Sequence, residues 1–292
     1  MKDFTLIHPT PVAIYFLIII GISMFVMHPV FIILSFIGAV CGCAVFGGRR
    51  AFKGIKFYII VFLLTSLINP LVVHRGQTVM FYIGLRAVTV EALLYGFAIA
   101  GVLISVLLWF KCMGYILTDD KFMYMFANTL PKTALVITVI MRLVPMFTRQ
   151  LKTSSSMQKC MGIAGGSGLI SRIKTASRVF SANISRSLEE AVETAGSMRA
   201  RGYGAAKRSS YSLFRFKGSD TVFFAVTAFL SAVVIAGLAA GTAAFSYYPA
   251  ADAINVDPFS VMVYICYGAL LFLPTLLSAA GRLKWRYCAS AI

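Results

Sequence analysis

The chain has 292 residues, of which 59% are hydrophobic and only 13% are charged. A soluble domain is about a quarter charged, so this composition excludes an ordinary water-soluble protein and indicates a chain surrounded mostly by lipid. The net charge of +17 does not require a nucleic-acid partner, because Lys and Arg collect on the cytoplasmic side of membrane proteins.

Six apolar runs approach or exceed the length of about 20 residues that a bilayer-spanning helix needs. In chain order the predicted spans are Pro11–Met27, Val30–Gly47, Phe57–Val73, Val88–Phe110, Thr221–Phe245 and Phe259–Ala280. Four of them lie in a predicted N-terminal region, residues 1–114, and two form a C-terminal hairpin, residues 221–292.

The charges between these runs predict their orientation. Residues 48–56 contain four Lys and Arg and no acid, which places this loop in the cytoplasm. The loop between the last two spans contains Asp252 and Asp257 without a base, and residues 282–286 are basic again. We therefore predict an all-α polytopic membrane protein with about six transmembrane helices and both termini in the cytoplasm.

Residues 115–220 form a third predicted region, which is basic and lies in the cytoplasm. Within it, Arg172–Arg201 has an apolar stripe at steps of three and four, and Gly202 follows as a helix stop. The stripe comprises Ile173, Ala176, Phe180, Ile184, Leu188, Ala191, Ala195 and Met198. This spacing predicts one long amphipathic helix.

Ala134–Met161 predicts a second long amphipathic helix, which Pro145 is expected to kink. Its apolar side holds Ile140, Leu143, Val144, Phe147, Leu151, Met157 and Met161. Residues 162–171 contain four glycines and predict a flexible turn between the two helices. One interpretation of the pair is a hairpin that lies on the lipid headgroups and is held there by its basic residues.

The residue types that catalysis and metal binding need are sparse. The six cysteines form no CxxC pair and the three histidines are far apart, which predicts neither a metal site nor a disulfide framework. Residues 168–175 resemble a phosphate-binding loop, but Ile173 stands in place of the required glycine. We therefore expect no enzyme activity, no bound cofactor and no nucleotide site in this chain.

Residues 197–204, Ser-Met-Arg-Ala-Arg-Gly-Tyr-Gly, resemble the Ala-Arg-Gly signature of the transmembrane (T) component of energy-coupling factor (ECF) transporters. This family includes the cobalt-transport permeases. Other landmarks follow in the family's order from about residue 10 to the C-terminus. They are Asn69-Pro70, His74-Arg75-Gly76, Thr89-Val90-Glu91 and Arg142-Leu143-Val144-Pro145. The resemblance implies structural roles for Asn69, Pro70, Gly76, Glu91, Arg142 and Pro145.

The resemblance also implies that each long helix places its C-terminal end in a groove on a separate cytoplasmic ABC ATPase subunit. The implied contact residues are Arg199, Ala200, Arg201 and Gly202 on the second helix, and Gln158, Lys159, Cys160, Met161 and Gly162 on the first. Met161 stands where the family carries an arginine in its first motif. That departure implies a first contact that uses Lys159 or is apolar.

A third implied partner is a small membrane protein, the S component, that captures the substrate. Its implied contact residues are Leu151, Met157, Phe180, Ile184, Leu188, Ala191, Ala195 and Met198. By this resemblance the chain couples ATP hydrolysis on partner subunits to uptake of a vitamin or transition-metal ion across a prokaryotic inner membrane.

Two other functions are alternatives. Glu190-Ala191-Val192 with Gly196 resembles the coupling loop of ordinary ABC importer permeases, although the expected downstream Ile-x-Leu-Pro is missing. Glu189-Glu190 begins like the Glu-Glu-x-x-x-Arg motif of an intramembrane protease family, but Thr194 stands in place of the arginine.

Overall fold

The structure is a computed structural model that describes residues 7–48, 53–73, 78–83, 86–127, 130–162, 168–205, 216–248, 252 and 257–290. Within these ranges the chain is almost entirely α-helical. In chain order the elements are α1 (Pro9–Phe25), α2 (Pro29–Gly47), α3 (Ile55–Val72), β1 (Val79–Ile83), β2 (Arg86–Thr89), α4 (Val90–Ile116), α5 (Asp119–Ala127), α6 (Pro131–Cys160), α7 (Leu169–Ala200), α8 (Gly218–Ala239) and α9 (Pro258–Ser290).

Six described helices are long and apolar enough to cross a bilayer: α2, α3, α4, α6, α8 and α9 over Pro258–Ala279. The chain is therefore a multi-pass membrane protein. Helix α1 is equally apolar but has 17 residues, which span about 25 Å of the roughly 30 Å hydrocarbon core.

These six helices differ from the six predicted spans, because they include α6 and leave out α1. Residues 131–147 contain only Lys132 and Arg142 as charged residues, so the first half of α6 has the composition of a span. The second half carries Arg149, Lys152 and Lys159. The prediction that α6 is an amphipathic helix lying wholly in the cytoplasm is therefore not confirmed.

An antiparallel hairpin of β1 and β2 lies between α3 and α4, with Ile83 paired to Arg86. The predicted span from Val88 to Phe110 thus began too early and ended too early, because α4 runs from Val90 to Ile116. The Thr89 hydroxyl caps α4 by accepting from the Ala92 N–H at 3.4 Å. Glu91, in the first turn of α4, accepts from the Thr78 hydroxyl at 2.8 Å and ties the hairpin to the helix.

Contacts divide the chain into two units, residues 1–122 with 214–292 and residues 123–213. The core of the first unit lies among α1, α2, α4, α8 and α9 and contains the fully buried side chains of Tyr15, Phe16 and Trp109. Trp109 Nε1 donates to Ser35 Oγ at 3.0 Å, and Ser35 also bonds Ser23 at 2.8 Å. These bonds satisfy polar groups that find no water within a bilayer.

Helices α3 and α4 approach closely around Gly96, where an added Cβ would lie 2.7 Å from the Ser66 carbonyl oxygen. Beside this contact, Asn69 Nδ2 donates to the Ala92 carbonyl at 2.9 Å, and Pro70 is buried within α3. Asn69 and Pro70 therefore border the close contact at Gly96, where an added Cβ would lie 3.3 Å and 3.5 Å from them. The landmark glycine Gly76 lies outside the described residues.

Candidate functional site

The second unit contains α6 and α7, which have 30 and 32 residues. At about 1.5 Å per residue each helix is roughly 45 to 48 Å long. The connecting turn includes residues 163–167, which lie outside the described part of the chain. We call this pair the α6–α7 hairpin.

A polar seam joins the two helices. Glu190 of α7 accepts a hydrogen bond from Gln150 Nε2 of α6 at 3.0 Å, and the Arg186 Nε–H donates to the same oxygen at 3.1 Å. The buried or half-buried side chains of described α7 residues recur mostly at steps of four and include Glu190. They are Ser171, Thr175, Val179, Asn183, Ser187, Glu190 and Met198. The buried side of α7, on which Glu190 meets Gln150 of α6, is thus made mainly of small and polar residues.

The large apolar side chains of α7 lie outside this seam. Phe180 is 54% exposed, Ile184 41% and Leu188 63%. Ala191 and Ala195 are also exposed and continue the same stripe. We call the five residues from Phe180 to Ala195 in this stripe the apolar outer face. An exposed apolar surface of this kind marks contact with a protein or a membrane. A helix that made no such contact would be more stable with these side chains buried inside the hairpin.

The other residues predicted to contact the capture partner differ in their exposure. Met157 on α6 is exposed, whereas Leu151 and Met198 are half-buried. Val192, which is 73% exposed, was missed by the sequence argument although it lies four residues after Leu188. The same helical spacing that identified Phe180 and Ile184 would have found it.

The end of α7 is fixed by its backbone. Gly202 has a φ of +82°, in the left-handed region that favours glycine. The Gly202 N–H donates to the Arg199 carbonyl at 2.9 Å, and the Tyr203 N–H donates to the Met198 carbonyl at 3.0 Å. This pair of bonds is the Schellman motif, which satisfies carbonyls that the helix leaves open. The predicted helix stop at Gly202 is confirmed.

Helix α6 ends in the same way. Gly162 has a φ of +70°, and its N–H donates to the Lys159 carbonyl at 3.1 Å. We call Gln158–Gly162 the α6 tip and Arg199–Gly202 the α7 tip. Both helices of the hairpin therefore end at a glycine with positive φ whose N–H bonds the carbonyl three residues earlier.

The two tips differ in chemistry. The α7 tip presents the exposed side chains of Arg199 and Arg201, and no described carboxylate lies within ion-pair distance of either guanidinium. The α6 tip presents Lys159, Cys160 and Met161, the last 72% exposed. A guanidinium can bond both oxygens of a carboxylate in a fixed fork, whereas the α6 tip has one ammonium and an apolar end.

The two landmarks on α6, Arg142 and Pro145, are exposed. Arg142 lies on the apolar half of the helix, and α6 remains one continuous helix through Pro145. The kink expected at Pro145 stays a prediction.

Among the described residues no group of three or more His, Cys, Asp and Glu side chains is arranged to hold a metal ion. Asp119 and Asp120 lie in the first turn of α5, where carboxylates favour the helix N-terminus. The neighbouring Lys121 is mostly buried, and its Nζ donates to the Ile116 carbonyl at the end of α4 at 3.0 Å. Burial lowers the pKa of Lys121 below its ordinary value.

No protein-family model and no curated protein sequence matches this chain. The features of the chain that bear on its function are the two tips, the apolar outer face and the distribution of charge.

Proposed function

We propose that this chain is the transmembrane coupling subunit of an ECF-type importer, which transmits ATP-driven motion of two cytoplasmic ATPases to a small substrate-capture membrane protein. The observation that carries the proposal is the pair of glycine-terminated tips at the ends of one hairpin. That hairpin keeps its large apolar residues outside its own seam.

The charge distribution supports a cytoplasmic position for the tips. Between residues 169 and 217 the chain has ten Lys and Arg and three acids. If α6 crossed the bilayer and α1 did not, this basic segment and the basic C-terminal tail would lie outside. The loop with Asp252 and Asp257 would then lie inside, against the tendency of positive loops to stay in the cytoplasm. We therefore propose that α1 spans the bilayer and that α6 does not fully cross it.

The α7 tip supports docking to an ATPase. Arg199 and Arg201 stand at the negative end of the α7 dipole, which alone favours them by about 0.3–1 kcal/mol. Their exposure leaves the guanidinium fork available to a carboxylate on a partner. The fixed Gly202 turn brings that partner close to the helix end, because glycine adds no side chain there. The α6 tip offers Met161 and Lys159 to a second, more apolar groove.

The apolar outer face supports docking to the capture protein. Phe180, Ile184 and Leu188 provide the apolar area, and Ala191 and Ala195 permit close approach of a neighbouring helix, as small residues do between helices in membranes. The substrate in this proposal is a vitamin or a transition-metal ion. In this proposal the capture protein binds that substrate.

Charge reversal at the α7 tip tests the proposal. We expect Arg201→Glu to reduce recovery of ATPase subunits with the tagged chain, because it sets a carboxylate against a carboxylate, while membrane insertion is unchanged. Arg178→Glu is the matched control, since Arg178 is an exposed arginine on the same helix, well before the tip. The measurements are co-purification from the native membrane and ATP-dependent substrate uptake.

The proposal fails if Arg201→Glu and Arg178→Glu retain equal amounts of ATPase and transport equally well. It also fails if the wild-type chain co-purifies with no ATPase and no small membrane protein. Transfer of substrate directly from a soluble binding protein would instead favour an ordinary ABC importer permease.

A further inference from the structure

A long apolar groove lies in the first unit, among α2, α3 and α4. Its volume is about 580 Å³, within the usual range for ligand pockets. Its wall is almost wholly apolar and includes Ile32, Phe36 and Val40 of α2, Tyr58 and Phe62 of α3, and Leu108 of α4. Such a wall selects a hydrocarbon and offers nothing to a polar solute.

The groove is open to the outside of the first unit. Three of its lining side chains are more than half exposed: Ile33 at 59%, Ile59 at 52% and Leu63 at 52%. Along α2 the lining runs from Ile32 to Cys43, which is about 16 Å at the α-helical rise. This length is close to one leaflet, half of the roughly 30 Å hydrocarbon core.

One end of the groove is basic. Lys111 Nζ lies 5.0 Å from the centre of the Tyr58 ring and donates to the Lys53 carbonyl at 3.2 Å. Lys53 and Lys56 are exposed at the start of α3. No Asp or Glu occurs between residues 4 and 90, so α2, α3 and the loop between them supply no acid to neutralise Lys53 and Lys56.

We infer that this groove binds one acyl chain of an anionic phospholipid, with the phosphate held at Lys53, Lys56 and Lys111. The apolar wall matches the chain, the length matches one leaflet, and the charge at the end matches the headgroup. An uncharged helix of a partner protein would account for the apolar wall but not for cations at one end. The inference does not depend on the coupling function proposed above.

Native mass spectrometry of the purified full-length chain tests the inference, with phosphatidylglycerol and phosphatidylcholine of identical acyl chains as probes. We expect one phosphatidylglycerol to be retained in preference to phosphatidylcholine. The double variant Lys53→Gln/Lys56→Gln should lower that preference by roughly thirty-fold, the effect of two basic residues near an anionic surface. The control Lys132→Gln/Lys152→Gln removes two exposed lysines of the second unit and should leave the preference unchanged.

A second variant fills the groove. Val40→Phe should reduce retention of both lipids, because the larger side chain occupies the space of the acyl chain. Val222→Phe on α8, where the valine is 64% exposed outside the groove, is its control. If Val40→Phe does not fold, the lysine variant still decides, since it changes exposed side chains only.

Three results would overturn the inference: no preference for phosphatidylglycerol, an unchanged preference in the Lys53→Gln/Lys56→Gln variant, or unchanged lipid retention in a folded Val40→Phe variant. In the last case, simultaneous loss of a co-purifying membrane protein would identify a partner helix as the occupant.

Discussion

Replacing Gly202 by alanine tests whether the α7 tip has the rigid geometry that the structure shows. An added Cβ at Gly202 would meet no atom within 4 Å, so the substitution causes no clash. The whole cost comes from the φ of +82°, which an L-residue with a side chain adopts at about 1–2 kcal/mol. That cost corresponds to a roughly five- to thirty-fold larger population of the opened helix end.

Hydrogen exchange measures this opening directly. In Gly202→Ala the amides of residue 202 and Tyr203 should exchange about five to thirty times faster, because they close the two bonds of the cap. Gly196→Ala is the matched control, since Gly196 lies inside α7, also with nothing within 4 Å. That variant should stabilise the helix by about 0.5–1 kcal/mol and slow exchange. Recovery of ATPase subunits with the tagged chain should fall for Gly202→Ala only.

Equal exchange in wild type and Gly202→Ala, or a change of the same sign in both alanine variants, would refute this reasoning. The first result would mean that the end of α7 is frayed in solution and that Gly202 does not hold it in the left-handed turn.

Three further predictions concern the first unit. Gly96→Ala should destabilise it by about 1–3 kcal/mol, because the new Cβ would lie 2.7 Å from the Ser66 carbonyl oxygen. The control Gly21→Ala adds a Cβ with no atom within 4 Å and should not destabilise the unit. Thermal unfolding in detergent compares the two variants. Ser35→Ala should cost about 1–3 kcal/mol in the same assay, because it leaves the Trp109 N–H without its acceptor. Burial lowers the pKa of His28 below 6.5, so the unfolded chain takes up this proton first. The contribution of His28 to the free energy of unfolding is therefore fully present above pH 6.5 and is lost as the pH falls through the lower folded pKa. His28→Gln should flatten this pH dependence, measured by unfolding from neutral pH to about pH 5.

Helical spacing and helix-stop chemistry were sufficient to predict much of α7. The apolar residues at steps of three and four defined the stripe that includes Phe180 and Leu188, and Gly202 marked the end, because both signals are local and depend on few neighbours. The polar seam could not be predicted from the sequence in the same way. Ser171, Thr175 and Asn183 are residues that also suit an exposed helix face, so only the structure shows that they are buried or half-buried.

Helix α6 shows a different limit of sequence reasoning. Its charges cluster after Phe147, and averaging over the whole helix hides an apolar first half that has the composition of a span. The hairpin of β1 and β2 was missed for another reason. Its strands have five and four residues, and Val88 and Val90 read as a continuous apolar run into α4. The groove among α2, α3 and α4 depends on how three helices pack, and no local pattern encodes it.

The polar seam has a mechanical consequence for the α6–α7 hairpin. If leucines packed between the two helices, one helix could shift along the other only by exposing apolar surface. The free-energy cost of that exposure would hold the helices in one register. Serine, threonine and asparagine side chains can exchange one hydrogen-bond partner for another, and Glu190 accepts both Gln150 and Arg186 at the same oxygen. At such a junction the crossing angle of the two helices can change without exposing apolar surface and without unfolding either helix.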